Sequence, residues 1–269
     1  SRLKAIRKAD NESLRIWGIS ATIGNLVESM EVLLGQDSNS DKSIIIRSAA
    51  KKEMEIHTVL PPTIDVLPWS GHIGLKLLPE IVKIIHAAQT TLVFTNTRAM
   101  AEIWYHHILN YDENLAGLLA MHHGSLSGEV RDWVEENLHA GTLKAVICTS
   151  SLDLGVDFRP VDTVIQIGSP KGVARFTQRA GRSGHQPGAV SKIYFIPTHA
   201  LELVEISAIK EAVNLNMVEK REPLVMCFDV LMQYLVTLSI GEGFLAEEIY
   251  HEIKSTFSFF LLFQLIVYK

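Results

Sequence analysis

Residues 91–109 read TLVFTNTRAMAEIWYHHIL. Thr91, Leu92, Val93 and Phe94 form a short apolar run, Thr95-Asn96-Thr97-Arg98 is polar, and a helical pattern then runs to Leu109. A strand without polar alternation that feeds directly into a helix suits a parallel sheet buried on both faces. The same unit recurs on either side. Strands are expected over residues 118–121, 144–148, 163–167 and 191–196, with helices over 75–88, 127–138 (Ser127 as its cap), 172–180 and 200–214. Short strands alternating with helices specify an α/β fold.

Outside this region the pattern is less regular. Residues 14–19 (LRIWGI) read as a buried strand, residues 24–34 as a helix, and residues 43–47 and 54–60 as two more strands. Residues 61–70 (PPTIDVLPWS) hold three prolines and read as an extended linker that Trp69 could anchor. The other three tryptophans read as packing residues. Residues 223–253 read as two short helices around Gly241-Glu242-Gly243.

Composition narrows the class. The 269 residues are 47% hydrophobic and 20% charged, too apolar for a disordered chain. Two cysteines, Cys148 and Cys227, give no disulfide framework and no cysteine-based metal site. The apolar tail, residues 257–268, is shorter than the roughly 20 residues that span a bilayer. The opening residues lack a signal peptide's apolar core. A reduced, cytoplasmic, soluble protein is expected, with no membrane association.

The net charge of −5 is uneven: +3 over residues 1–15, −3 over 16–71, 0 over 72–201 and −5 over 202–269. Residues 163–201 contain no Asp or Glu but carry Lys171, Arg175, Arg179, Arg182 and Lys192. A basic face inside an acidic protein suits a local anion site, or simply a solvated helix surface. Nine histidines lie between His72 and His199, including the pairs His106-His107 and His122-His123. Adjacent helical residues point apart and chelate poorly, so no metal site is expected.

In open parallel sheets, function sits on the loops after the strands. Here those loops are Ser20-Ala21-Thr22, Thr95-Asn96-Thr97-Arg98, His122-His123-Gly124-Ser125 and Thr149-Ser150-Ser151, with Leu154-Gly155-Val156-Asp157 just after. Hydroxyls and glycines let backbone N–H groups approach an anion closely, so a row of such loops suits a phosphodiester strand. Singly, each is a weak signal, since a Ser or Thr after a strand is most often just a helix cap. The strongest element is Gln178-Arg179-Ala180-Gly181-Arg182-Ser183-Gly184-His185. Two arginines three apart share a helix-end face, and glycines on both sides of Arg182 allow close backbone approach. A planar guanidinium binds phosphate oxygens in pairs, and a glutamine can orient a water or a phosphate oxygen.

In order and spacing, these segments resemble the motifs of superfamily 2 helicases: SAT at residues 20–22, VFTNTR at 93–98, HHGSLS at 122–127, TSSLDLGVD at 149–157 and QRAGRSGH at 178–185. PWSGHIGLKLLP (68–79) and GSPKGVARFTQRAGRSGHQPG (168–188) are similar to the Lhr-like group, in particular its ligase-associated DEXH-box branch. The resemblance covers about residues 14–255. It implies the end of one RecA-like domain plus linker over 1–70, a second RecA-like domain over 71–201, and the start of a truncated winged helix over 202–269.

The resemblance also implies roles. Ser20 and Thr22 would couple nucleotide state to DNA contact. Thr95, Asn96, Arg98, Gly124, Ser125, Thr149 and Ser150 would track the strand backbone. Gly155 and Asp157 would lie near the ATP ribose, and Gln178, Arg179 and Arg182 would face the triphosphate, with Arg182 as arginine finger. His185 stands where many relatives have arginine, and the tail after Phe257 departs from the family pattern.

A helicase motor also needs a phosphate loop and a metal-binding carboxylate. The chain has no Gly-Lys dipeptide, and its only Asp-Glu pair, Asp112-Glu113, continues as Asn-Leu. The expectation is therefore the C-terminal portion of an ATP-dependent DNA helicase, inactive alone; the resemblance implies a 3′-to-5′ translocase acting in DNA repair. ATP and Mg²⁺ would bind only in a parent that supplies the missing N-terminal RecA-like domain. Expected partners are single-stranded or tailed DNA and, by family, an ATP-dependent DNA ligase and its associated nuclease; a monomer is expected. The alternative is a stand-alone, non-catalytic nucleic-acid-binding module.

Overall fold

The computed structural model of the chain describes residues 15–20, 22–35, 43–47, 53–61, 74–153, 161–184, 190–241 and 243–260. The chain divides into two compact units, residues 50–219 and residues 1–49 together with 220–269. The strands are β1 (Met54–Thr58), β2 (Thr91–Phe94), β3 (Leu119–His122), β4 (Ala145–Cys148), β5 (Thr163–Ile167) and β6 (Ser191–Ile196). The α-helices are α1 (Leu26–Leu34), α2 (Leu78–Ala87), α3 (Arg98–Tyr111), α4 (Gly128–Ala140), α5 (Val173–Ala180), α6 (Leu201–Asn214), α7 (Phe228–Ile240) and α8 (Ala246–Lys254).

All six strands join one parallel sheet, in the order β1-β6-β5-β2-β4-β3. The RecA-like α/β architecture implied by the sequence is the one observed. Every residue of β2, β4 and β5 is buried. Their side chains alternate between two apolar layers. Leu92, Phe94, Val146 and Val164 pack with Val134 of α4, Phe176 of α5 and Ile206 of α6. Val93, Ile147 and Ile165 pack with Ile81 of α2 and Trp104 of α3. With helices on both faces, an unbroken apolar strand is the stable solution.

Local signals fix where the helices begin. The Thr97 hydroxyl accepts the Met100 N–H at 3.2 Å at the start of α3. The Ser127 hydroxyl accepts that of Val130 at 3.4 Å at the start of α4, as its sequence suggests. Gly141, at φ +73°, ends α4 in the left-handed conformation that glycine tolerates.

The sheet unit is wider than residues 71–201. β1 pairs with β6 from Met54↔Ser191 to Thr58↔Phe195, because Met54 and Ile56 face the core while Glu55 and His57 face water. At the other end, α6 buries Ile206 and Ile209 in the sheet core, so the helix that leads out of the domain belongs to it. Two expected strands do not form. Residues 15–20 and 43–47 are irregular, with Trp17, Ile19, Ile44 and Ile46 exposed. A strand persists only through a neighbour's hydrogen bonds, and no paired strand adjoins them among the described residues. Of the tryptophans, Trp104 is buried, Trp17 and Trp133 are exposed, and Trp69 lies outside the described residues, as does most of the expected linker.

In the smaller unit, α7 and α8 flank the Gly241–Gly243 turn as expected, and Tyr234 of α7 donates to the Glu252 carboxylate of α8. Asn25, just before α1, binds the Arg221 backbone at both ends of its amide: Nδ2 donates to the carbonyl (3.0 Å) and Oδ1 accepts the N–H (3.3 Å). Among the described residues no helix is long and apolar enough to cross a membrane.

Candidate nucleic-acid interface and arginine cluster

Because β5, β2, β4 and β3 are parallel neighbours, their C-terminal ends lie side by side, and the loops leaving them form one edge. Hydrogen bonds lace these loops together. Asn96 Nδ2 donates to the Ser169 carbonyl at 2.8 Å, joining the β2 and β5 loops. The Thr95 N–H donates to the Cys148 carbonyl at 2.8 Å, and the Thr149 N–H donates to that of His122 at 3.2 Å. Arg98 Nη1 donates to the Ser125 hydroxyl at 2.9 Å, linking the start of α3 to the loop after β3. The buried Glu202 carboxylate braces the edge from behind, accepting the Ser169 and Thr198 N–H groups at 2.8 and 2.6 Å.

The second part of the site surrounds Asp153, at the end of the 3₁₀ turn Ser150–Leu152. Arg179 sends Nε to Asp153 Oδ1 at 2.8 Å and Nη2 to Oδ2 at 3.3 Å. Its Nη1 donates to Gln166 Oε1 at 2.7 Å. Gln166 is oriented to accept because its own NH₂ donates to the Ile167 and Gly168 carbonyls. The Arg179 guanidinium also lies 4.7 Å above the Phe94 ring, a cation–π contact sealed from water. Arg175 Nε stands 3.7 Å from Asp153 Oδ2. Arg182 reaches the same residue differently: its Nη2 donates to the Asp153 backbone carbonyl at 2.6 Å. Partial burial lowers the Arg182 pKa and the Asp153 charge opposes that shift; the guanidinium remains cationic. Burial pushes the Cys148 thiol well above its usual range, so it is a neutral packing group.

The geometry sorts the sequence candidates. Arg98, Gly124, Ser125 and Ser150 are exposed on the edge; Asn96 and Thr149 are half-buried there. Gly124 has open space where a side chain would project. Thr95 is fully buried, and its hydroxyl donates inward to backbone carbonyls, so it supports the loop and offers no contact surface. Arg179 and Arg182, read together from sequence as facing a triphosphate, part company. Arg179 is 1% exposed and each of its three guanidinium nitrogens donates to a protein acceptor, whereas Arg182 is only partly buried. Gln178 is half-buried on the same helix. The basic stretch is therefore no solvated helix face, since three of its arginines converge on one aspartate.

Ser20 and Thr22 belong to the smaller unit, where the Thr22 N–H donates to Ser20 Oγ at 3.4 Å. Gly155, Asp157 and His185 lie outside the described residues. Asp153 and Gln166 were missed by sequence reasoning. Asp153 sits inside the quoted TSSLDLGVD stretch, but nothing local reveals a partner 26 residues on. Among the described residues, no group of three or more His, Cys, Asp or Glu side chains could hold a metal ion.

Residues 74–186 match the helicase conserved C-terminal domain, and residues 211–264 match the winged helix domain of large helicase-related protein. The second match takes in residues 258–264, so the family pattern extends into the tail that was expected to depart from it after Phe257. The chain is 35% identical to ATP-dependent helicase Lhr-Core of Methanocaldococcus jannaschii over 244 residues, 90% of this chain and 28% of that protein. It is also 35% identical to ATP-dependent helicase Lhr-Core of Sulfolobus acidocaldarius, over 93% of this chain and 29% of the relative. The structure of Mycobacterium smegmatis helicase Lhr bound to ssDNA and AMP-PNP superposes with a TM-score of 0.80 at 31% identity, covering 89% of this chain and 31% of that one. The chain thus spans less than a third of the length of these relatives.

Proposed function

The chain belongs to the Lhr-type helicases, and on that premise we propose that it is the part of an ATP-dependent DNA translocase that supplies one side of the single-strand track and the arginine finger. The observation that carries this reading is the shared strand edge: Arg98 and Ser125 are joined at its exposed face while Arg182 is held to Asp153 from the neighbouring loop. Arg98, Asn96, Gly124, Ser125, Thr149 and Ser150 contact the phosphodiester backbone, a mode largely blind to base identity. A cation and paired hydroxyls at the edge fit such an anionic strand. The preference for DNA is supported by the bound strand named for the mycobacterial relative.

ATP with Mg²⁺ supplies a cleavable phosphoanhydride when bound. Toward it this chain contributes Arg182, whose cationic fork is oriented by the Asp153 carbonyl, and Gln178 one turn earlier. Gly155 and Asp157 would hold the ribose, as the motif resemblance implies. Arg179 acts behind them, fixing Asp153. With no Gly-Lys dipeptide in its sequence, the chain needs a phosphate loop from a preceding RecA-like domain and is not an ATPase alone. Translocation 3′-to-5′, a role in DNA repair, and association with an ATP-dependent ligase and a nuclease complete the proposal.

The test is fluorescence anisotropy of labelled single-stranded DNA and RNA oligonucleotides with the purified chain, beside an ATPase assay. Sequence-independent DNA binding without ATP turnover is expected. Failure to bind any oligonucleotide, or DNA-stimulated turnover by these 269 residues, contradicts the assignment.

A further inference from the structure

A polar trio built around one buried imidazole joins the two parts of the site. His122 ends β3 and is 1% exposed. Its Nδ1 lies 2.8 Å from the Ser151 hydroxyl, in the turn after β4, and its Nε2 lies 3.1 Å from Glu135 Oε1 on α4. Three elements thus meet on one imidazole. The Ser151 hydroxyl is also 3.0 Å from the His122 backbone carbonyl.

A hydroxyl has a single proton to give, and that decides the arrangement. The Glu135 carboxylate only accepts, so Nε2 carries a proton throughout. With a neutral ring, Ser151 donates to Nδ1, and the His122 carbonyl keeps the Thr149 N–H at 3.2 Å. With a charged ring, Nδ1 becomes a donor to Ser151 Oγ, and the serine proton must turn to the carbonyl. The charged groups facing the ring are Glu135 and Arg131 from α4 and His123 from its own loop. Burial favours the neutral ring most strongly, against the pull of Glu135.

Each end of the trio touches the proposed machinery. His123, the next residue, accepts the Ser125 N–H on Nδ1 at 3.3 Å, and Ser125 holds Arg98. Two residues after Ser151 stands Asp153, whose carbonyl holds Arg182. We propose that His122, oriented by Glu135, is a positioning residue that couples the nucleic-acid loop to the arginine loop through the Ser151 hydroxyl. The inference rests on the functional reading above. Spatial continuity alone does not establish coupling, so the test must measure coupling itself.

The experiment titrates a single-stranded DNA oligonucleotide into the ¹⁵N-labelled chain and follows the Arg182 Nε–H resonance together with the binding constant. In the unsubstituted chain, DNA moves the Arg182 signal. In Ser151→Ala and Glu135→Ala the oligonucleotide binds with unchanged affinity but the Arg182 displacement is lost. Ser151→Thr, which keeps the hydroxyl, restores it. Lowering the pH until His122 titrates also removes the displacement in the unsubstituted chain, with binding retained. An Arg182 displacement that persists in both alanine variants overturns the coupling and leaves the functional reading intact. Loss of displacement that Ser151→Thr fails to restore, or that comes with equal loss of binding, reduces the trio to a structural support and also overturns it. An unsubstituted chain that binds no oligonucleotide overturns the functional reading itself, and the coupling with it.

Discussion

Arg179 meets Asp153 side-on, with two nitrogens 2.8 and 3.3 Å from the two carboxylate oxygens, and both residues are buried. Removing one partner leaves the other charge buried without compensation, a loss of about 3–5 kcal/mol. Asp153→Ala should therefore lower the urea midpoint of the chain sharply. Combining it with Arg179→Met, which removes the orphaned charge while keeping volume, should recover much of that loss. A double variant no more stable than Asp153→Ala alone would show that the pair is not coupled as its geometry requires.

Arg182 predicts the opposite profile. It is partly exposed and anchored to a backbone carbonyl, with no buried carboxylate left uncompensated by its removal, so Arg182→Ala should shift the urea midpoint far less than Asp153→Ala. In the complete helicase the same substitution should cost about 10³–10⁵ in ATP turnover while DNA binding survives. Lysine should not substitute, since a point charge lacks the planar fork. Equal loss of turnover and DNA binding would assign Arg182 to folding instead.

How much of this was readable beforehand divides along physical lines. The strands β2, β4 and β5 were legible because burial on both faces writes short apolar runs into the sequence. Residues 14–19 and 43–47 carried the same local signal, yet a strand is defined by its neighbour, and none is paired there among the described residues. Arg98, Ser125 and Arg182 were legible as motif residues. The different fates of Arg179 and Arg182 were not, because they depend on Asp153 and Gln166, which lie 26 and 13 residues from Arg179 and show no local pattern. A solvated face stayed open as a reading of the basic stretch because the acid that its arginines meet, Asp153, lies outside it.

Asp112 gives a pH prediction. The His86 ring nitrogen lies 2.5 Å from Asp112 Oδ2, and the Asn114 N–H donates to Oδ1. The hydrogen bond from His86, then that from Asn114, hold the Asp112 carboxyl below its ordinary value of 3.8. A group whose folded pKa is depressed stabilises above its unfolded pKa and loses that contribution as pH falls through the folded value. The melting temperature should thus fall more steeply below pH 3.8 in the unsubstituted chain than in Asp112→Asn. Superimposable acid limbs would show that the contact between α2 and the end of α3 carries no proton linkage.

Arg98 gives the most direct test of the track. Its guanidinium is exposed at the start of α3 and donates to the Ser125 hydroxyl, so one fork spans two loops of the proposed backbone path. A phosphate contact contributes chiefly by releasing condensed counterions, which makes it sequence-blind and salt-dependent. Arg98→Ala should weaken single-strand binding by a similar factor for every sequence tested and flatten the slope of log affinity against log salt by about 0.7. Because the side chain is exposed, the urea midpoint should barely move. Ser125→Ala should give a smaller loss with little change in salt slope, since the hydroxyl carries no charge. Sequence-selective weakening by Arg98→Ala would place Arg98 on base edges rather than phosphates, and an unchanged salt slope would remove it from the track.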